Sequence, residues 1–266
     1  MGSHQARKRF GQNFLTDQAI IQRLVRSIAP KPDDLMVEIG PGQGALTRPL
    51  MDAVDHLHAV ELDRDLIALL QRTLSERRLT IHQADALRFD FSTLSSGPRS
   101  LRVVGNLPYN ISTPLMFHLI EQISEVRDMH FMLQKEMVDR LVAVPGTSDW
   151  GRLSVMIQYH CRTDFLFPVP PGAFNPPPRV DSAIVRLTPH DQLPAPVTDY
   201  TLFSELVNQV FTQRRKAVRN GLKRYLTAAE INAAGVDPGL RPDCLSLADF
   251  ATLANTVAAA RATEAP

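Results

Sequence analysis

A glycine-rich segment directly after a short apolar run limits the fold of this chain more than any other feature. The run Leu35–Ile39 is typical of a buried strand, and Gly40, Gly42 and Gly44 follow it with the spacing G-x-G-x-G. Glycines let the backbone come within contact distance of a ligand and allow a helix to begin at once. The segment therefore predicts a strand, a tight turn and a helix, with a ligand bound at the turn.

Strands and helices alternate on both sides of this turn. An amphipathic helix is predicted over 20–28, before the first strand. The strands are predicted over 35–39, 58–62, 79–82, 101–105 and 129–133, and helices between them over 45–53, 66–74 and 114–123. This alternation favours an α/β fold, a Rossmann-like parallel sheet with right-handed crossovers. Ligands bind such sheets at the carboxyl ends of the strands.

The second half of the chain has a different predicted pattern, with mostly helices and two strands. Helices are predicted over 135–143 and 153–159, and two strands, 165–167 and 182–187, could pair as an antiparallel hairpin at the sheet edge. A proline-rich linker follows, and then helices over 201–211, 217–225, 227–234 and 247–260. We therefore predict three segments: 1–34 packed with the first domain, 35–190 as the ligand-binding domain, and 198–266 as a small all-helical domain.

The composition is that of an ordinary globular protein, with 44% hydrophobic residues and a formal net charge of +1. Cys161 and Cys244 lie too far apart in sequence to suit a disulfide framework or a metal cluster, so a reducing, cytoplasmic setting and no metal are expected. No apolar run is long enough to cross a membrane. Residues 213–224 nevertheless carry six bases and no acid, which suits either phosphate contacts or a solvated helix face.

The glycine turn and two acids indicate a nucleoside ligand without phosphates. The spacing differs from the G-x-G-x-x-G of dinucleotide sites, and Pro41 lacks the N–H that a pyrophosphate would need. Glu61 ends a predicted strand, where a carboxylate can accept both ribose hydroxyls. Asp85 follows the next strand, where it can accept from the amino group of an adenine. Each acid alone is equally consistent with a helix N-cap or a surface charge.

The segment after the fourth strand points to chemistry at an adenine amine. That amine is a poor nucleophile because its lone pair is delocalised into the ring. The side-chain oxygen of Asn106 and the main-chain carbonyl of Leu107 could accept its two hydrogens, on a turn that Pro108 stiffens. Tyr109 offers a flat face for a base. Phe174 could stack on the other side, or could plug the core beneath its loop.

With these residues assembled, the chain resembles the KsgA/RsmA-type dimethyladenosine transferases, which dimethylate two adjacent adenosines in the terminal hairpin of small-subunit ribosomal RNA. The resemblance covers nearly the whole chain through the segments 8–15, 38–44, 61–63, 106–112, 174–182 and 211–216. It implies an S-adenosylmethionine (SAM)-dependent methyltransferase sheet with SAM as cofactor. The predicted cofactor-binding residues, Gly42 of the turn included, are Asn13, Leu15, Gly40, Gly42, Glu61, Asp85 and Asn106.

The resemblance also assigns roles to the basic residues and to the segment before the first strand. That segment becomes a flap over SAM and RNA. The residues expected to meet the rRNA backbone are Lys8, Arg9, Arg214, Arg215, Lys216 and Arg219. The partner is then the small ribosomal subunit, with no DNA, no membrane and a monomeric enzyme expected.

Three other functions are compatible with the same sequence. The related Erm enzymes methylate an adenine of large-subunit rRNA and share the flap, the glycine turn and a similar Asn-x-Pro-aromatic motif. A ribosome-assembly checkpoint protein could depend on binding more than on catalysis. A small-molecule or DNA methyltransferase would suit the Asn106–Tyr109 chemistry, but it would leave the basic segment and the flap unexplained.

Overall fold

A computed structural model describes residues 13–74 and 78–264 of the chain. Its internal contacts form two compact units, the first comprising Met1–Val138 with Arg162–Pro189 and the second Asp139–Cys161 with His190–Pro266. The sequence prediction assigned 139–161 to the ligand-binding domain, whereas the structure groups this segment with the helical residues. The reason is packing within the second unit, where the Tyr159 and Phe203 ring centroids lie 4.8 Å apart.

The first unit is built on a seven-stranded sheet. Its strands are β2 (Leu35–Ile39), β3 (Leu57–Glu61), β4 (Leu79–Gln83), β5 (Leu101–Asn106), β6 (Val126–Gln134), β7 (Cys161–Val169) and β9 (Ser182–Pro189). The order across the sheet is β4-β3-β2-β5-β6-β9-β7. Strands β2 to β6 pair in parallel, and β9 is antiparallel to β6. The predicted parallel α/β sheet is confirmed, including the two C-terminal strands at one edge.

The helices of this part are α1 (Gln18–Ile28), α2 (Thr47–Ala53), α3 (Arg64–Thr73) and α4 (Ser112–Glu121), and α5 (Lys135–Leu141) begins in it and continues into the second unit. Asp17 caps α1, because its Oδ1 accepts from the amides of Ala19 and Ile20 at 2.8 and 3.1 Å. The apolar stripe Ile21, Leu24 and Ile28 of α1 is buried, as the periodicity predicts.

A charged network lies at the amino ends of the strands, away from the ends where a ligand is expected. Arg102, near the start of β5, contacts Asp34 at 2.5 Å and Asp128 of β6 at 3.0 Å. Its guanidinium also donates to the carbonyl of Ile28 at the end of α1. Burial of these charges is tolerated because each has a partner. The network attaches α1 to the sheet and leaves the opposite strand ends free.

A second, two-stranded sheet holds the segment before α1. It pairs β1 (Phe14–Leu15) with β8 (Phe174–Asn175) in antiparallel fashion. The Thr16 amide extends this connection by donating to the Ala173 carbonyl at 2.8 Å. The described part of the predicted flap is therefore fixed against the proline-rich loop.

The second unit is helical, with α6 (Arg152–His160), α7 (Tyr200–Thr212), α8 (Val218–Leu222), α9 (Ala228–Ala233) and α10 (Leu247–Glu264). Helix α8 is shorter than the predicted 217–225, since the chain turns again after Leu222. At Gly221, α8 packs so tightly on α7 that a Cβ atom would lie 3.1 Å from Val210 Cα. Within residues 13–74 and 78–264, every helix is too short or too polar to cross a membrane.

Candidate cofactor and catalytic site

A cavity of about 300 Å³ lies at the carboxyl ends of β2, β3, β4 and β5. The predicted cofactor residues all line it: Asn13, Leu15, Gly40, Gly42, Glu61, Asp85 and Asn106. Leu107, Pro108 and Tyr109 line it as well. The structure thus brings together groups that lie up to 96 positions apart in the sequence, between Asn13 and Tyr109.

The glycine turn forms one wall of the cavity. Gly40 and Gly42 have φ angles of 67° and 58°, which glycine adopts without the strain that a side chain would introduce. A Cβ at Gly42 would lie 3.2 Å from the Phe14 ring. The arm before α1 therefore packs directly on the turn, and this close approach requires glycine.

Glu61 is held by backbone amides at the end of β3. Its Oε1 accepts from the amides of Leu62 and Asp63, both at 2.8 Å, and its Oε2 accepts from Gly42 at 3.4 Å. Burial raises the pKa of Glu61, and these three hydrogen bonds oppose the rise. Asp85 is oriented in a similar way, because its Oδ1 accepts from the Leu87 amide at 3.0 Å.

The ionisable groups on the described lining of the cavity are acidic, with no base among them. Four carboxyl side chains line it, and its described lining contains no Lys, Arg or His; the acids are Glu38, Glu61, Asp63 and Asp85. Such an environment favours a positively charged ligand and disfavours a phosphorylated one. This agrees with the sequence argument against a dinucleotide.

Glu38 is a cavity residue that sequence reasoning did not single out. It lies in β2, is 2% exposed, and its Oε2 has no hydrogen-bond partner among the described residues. Burial raises the pKa of Glu38 to about 8; the Thr47 hydroxyl opposes the rise, and the negative charge of Glu61 adds to it. The sequence feature that could have identified Glu38 is that it is the one charged residue in the apolar strand Leu35–Ile39.

Asn106 ends β5 with its amide already oriented. Its Nδ2 donates to the Asn13 carbonyl at 3.1 Å, so Oδ1 is the end of the amide left to accept from a ligand. The Leu107 amide donates to Met132 of β6 at 3.1 Å. The turn that follows is fixed because the Ile111 amide and the Ser112 hydroxyl both donate to the Pro108 carbonyl.

The two aromatic residues predicted to contact a base have different environments. Tyr109 lines the cavity, and its hydroxyl lies 2.8 Å from Ser182 Oγ. Phe174 is 4% exposed, pairs with Leu15 in register, belongs to the hydrophobic core and does not line the cavity. The structure therefore corresponds to the second alternative for Phe174, a core plug beneath the loop. Stacking on a base would require its ring to leave this position.

The basic residues of the second unit divide into two kinds. Arg214 contacts the Ser148 carbonyl and lies 4.0 Å from Asp243. Arg215, Lys216 and Arg219 are exposed, and no ion pair joins them to any residue in the described part of the chain. Lys8 and Arg9 lie outside the described residues.

A comparison with protein families finds that residues 3–259 match the model of the ribosomal RNA adenine dimethylase family. Among curated proteins, the chain is 60% identical over 255 residues to the ribosomal RNA small subunit methyltransferase A of Alcanivorax borkumensis, covering 96% of this chain and 91% of that protein. The protein of the same name from Pseudomonas aeruginosa is 57% identical, with 96% of each chain covered.

Two solved structures are similar over nearly the whole chain. A dimethyladenosine transferase from Plasmodium falciparum superimposes with a TM-score of 0.74 at 25% identity, covering 90% of this chain and 95% of that one. The 23S rRNA methyltransferase ErmE gives a TM-score of 0.71 at 25% identity, with 92% and 100% covered. The similarity in fold is thus nearly equal for the two, whereas the sequence identity to the small-subunit methyltransferases is more than twice as high.

Proposed function

The chain belongs to the ribosomal RNA adenine dimethylase family, and we propose that it uses SAM to dimethylate two adjacent adenosines in the terminal hairpin of small-subunit rRNA. The 60% identity to a small subunit methyltransferase A supports the small subunit over the large one. We further propose that it acts late in subunit assembly, in the cytoplasm, as a monomer. The observation that carries the proposal is the cavity, whose four carboxyls and Asn106–Tyr109 turn suit a cationic nucleoside and an adenine amine.

The residues around the glycine turn fit SAM. Gly40 and Gly42 line the cavity without a side chain, so a ligand can lie against their backbone. Glu61 can accept the ribose hydroxyls, and Asp85 can accept from the adenine amino group. Glu38 offers an unpartnered carboxyl oxygen to a cationic group. When bound, SAM supplies an electrophilic methyl group on its sulfonium.

The protein orients the exocyclic amine of the target adenine and localises the lone pair on its nitrogen. The amide of Asn106 is held by Asn13, which presents Oδ1 as an acceptor. With the Leu107 carbonyl as second acceptor, both amine hydrogens are engaged and the lone pair turns toward the methyl group. Tyr109 stacks on the base. This is catalysis by positioning and preorganised dipoles, which needs no strong base because the proton can leave after transfer.

The exposed cations of the second unit suit rRNA docking. Arg215, Lys216 and Arg219 are exposed and make no ion pair with described residues, so their charges are available to phosphates. Arg214 shares its charge with Asp243 and has a mixed structural and binding role. Phosphate contacts would position the RNA while the base is recognised in the cavity.

The experiment that tests this function offers labelled SAM with small or large ribosomal subunits that lack these methylations. We expect label in small-subunit rRNA only. Label confined to the large subunit would assign the chain to the Erm type, whose fold it shares. An Asn106→Ala variant in the same assay separates catalysis from assembly control, because it should lose methylation and still bind the small subunit.

A further inference from the structure

Glu38 is in an unusual state for a carboxyl group. It is 2% exposed, lines the cavity, and its Oε2 has no hydrogen-bond partner in the described part of the molecule. An ionised carboxylate in such a place costs far more than a neutral one. The group must therefore carry a proton or face a cation, and the part of the cavity lining that the structure describes offers it no cation.

The surroundings of Glu38 strengthen this conclusion. From β3 it faces the carboxylate of Glu61, which opposes a second negative charge, and from α2 it faces the uncharged hydroxyl of Thr47. The other titratable groups of the cavity are the acids Asp63 and Asp85 and the phenol of Tyr109. Asn13 and Asn106 add amides without charge. Each titratable neighbour among residues 13–74 and 78–264 is an acid, so none of them compensates an ionised Glu38.

The proposed cofactor brings the missing cation. SAM carries an α-ammonium group and a sulfonium, both absent from a neutral nucleoside. We propose that Glu38 holds a proton while the cavity lacks the cofactor and releases that proton when the cationic cofactor enters, so that cofactor binding and proton release are coupled at this carboxyl. The O–H bond of Glu38 breaks, the proton passes to the solvent, and the carboxylate pairs with a cationic group whose own charge is unchanged.

The coupling rests on the proposed use of SAM, and it predicts how the affinity for SAM depends on pH. Since burial raises the pKa of Glu38 to about 8, cofactor binding must displace a proton at lower pH. The apparent affinity for SAM should then rise by up to about tenfold per pH unit below pH 8 and level off above it. In Glu38→Gln this part of the dependence should disappear, leaving only the titration of the cofactor's own amine.

The test is calorimetric titration at pH 7 in buffers of different ionisation enthalpy, which counts protons released per ligand bound without measuring activity. Wild type should release about one proton on binding SAM, and Glu38→Gln should release almost none. Glu61→Gln is the matched control: it should weaken binding through the ribose contact and still release most of a proton, although loss of the Glu61 charge lowers the pKa of Glu38. Proton release retained in Glu38→Gln would overturn the proposal, whatever Glu61→Gln shows.

Two further ligands test wild type alone, so the result does not depend on a variant folding. S-Adenosylhomocysteine keeps the ammonium and lacks the sulfonium, and methylthioadenosine lacks both. Release with S-adenosylhomocysteine identifies the ammonium as the partner of Glu38, and release with SAM alone identifies the sulfonium. Release with methylthioadenosine contradicts the coupling. If SAM itself does not bind, the proposed cofactor fails; if it binds without proton release, only this inference fails.

Discussion

The side chain of Tyr109 has two parts with different neighbours. Its hydroxyl lies 2.8 Å from Ser182 Oγ in β9, and the residue also lines the cavity, as Asn106 does. Burial raises the pKa of Tyr109, so the phenol keeps its proton and contributes a hydrogen bond rather than a charge. Stacking on an adenine requires the ring alone, so the two contributions can be separated by mutation.

Tyr109→Phe should therefore methylate within about threefold of the wild-type rate and lose about 1 kcal/mol of stability with the hydroxyl contact. Tyr109→Ala should lower kcat/KM by roughly 10- to 100-fold, because base stacking contributes about 1–3 kcal/mol. Single-turnover methyl transfer and urea unfolding measure the two effects. Equal losses of activity in the two variants would contradict a stacking role.

Glu38 gives the cofactor-free protein a distinctive dependence of stability on pH. Its pKa is raised in the folded state, from the ordinary 4.5 to about 8. The stability that the protonated form provides is complete below the unfolded pKa and declines as the pH rises to about 8. Relative to Glu38→Gln, wild type should lose about 1 kcal/mol per pH unit from about pH 5 to 8. Urea unfolding of both proteins across this range is the measurement, and parallel curves would contradict it.

A cavity residue can be predicted from the sequence when the residues next to it in the chain form a recognisable pattern. Gly40 and Asp85 each follow a recognisable strand and Glu61 ends one, and the register of the parallel strands brings the three together. Asn13 could be found only through the family resemblance, because its contact with Asn106 spans 93 positions. The state of Glu38 follows from burial and a missing partner, which only the folded structure reveals. The same holds for the buried position of Phe174.

At the scale of elements, the cavity depends on the close approach of β2 and β5 at their carboxyl ends. A Cβ atom at Gly105 of β5 would lie 2.5 Å from the carbonyl oxygen of Ile39 in β2. The oxygen is a backbone atom and the position of a Cβ is fixed by the backbone, so the contact cannot be relieved by a side-chain rotation. Gly40 and Asn106 follow these two residues directly, so the spacing of the strands sets the spacing of the site.

Gly105→Ala should push these strand ends apart, lower stability by roughly 1–3 kcal/mol and weaken SAM binding. Gly172→Ala is the matched control, since nothing lies within 4 Å of its added Cβ and its φ lies outside the left-handed range. Thermal unfolding and cofactor titration measure both effects. Unchanged SAM affinity in Gly105→Ala would show that the spacing of β2 and β5 does not control the site.

The elements themselves were predictable to different degrees. The parallel strands are clear because apolar runs alternate with helical periodicity at regular spacing. Strand β7 (Cys161–Val169) is much longer than the predicted 165–167, because its edge position admits polar residues, such as the exposed Arg162 and the partly exposed Asp164, and these obscure the apolar strand pattern. The grouping of 139–161 with the helical unit arises from contacts such as Tyr159–Phe203, which no local pattern encodes.

At the scale of the whole molecule, a formal net charge of +1 conceals two opposite local fields. One unit carries a cavity lined by four carboxyls, and the other carries exposed cations in the segment 213–224. The first suits a cationic cofactor, and the second suits a phosphate backbone. A composition near neutrality is therefore compatible with RNA binding when the cations are concentrated in one segment.

Loss of the exposed cations should change the salt dependence of subunit binding. The double variant Arg215→Ala with Lys216→Ala should lower the slope of log affinity against log salt by about 1.5, since each phosphate contact contributes roughly 0.7–0.9. Lys31→Ala with Arg72→Ala removes the same charge from exposed positions of the first unit and should leave the slope nearly unchanged. Equal slopes for the two variants would indicate a general charge effect.

The most direct test of the proposed function is to map the methylated positions. Small subunits that lack the modification would be treated with SAM and either wild type or Asn106→Ala, and the rRNA analysed by mass spectrometry. Wild type should place two methyl groups on each of two adjacent adenosines in the terminal hairpin, and the variant should place none. Methylation at other positions, or equal methylation by the variant, would contradict the assignment of the reaction to the strand-end cavity.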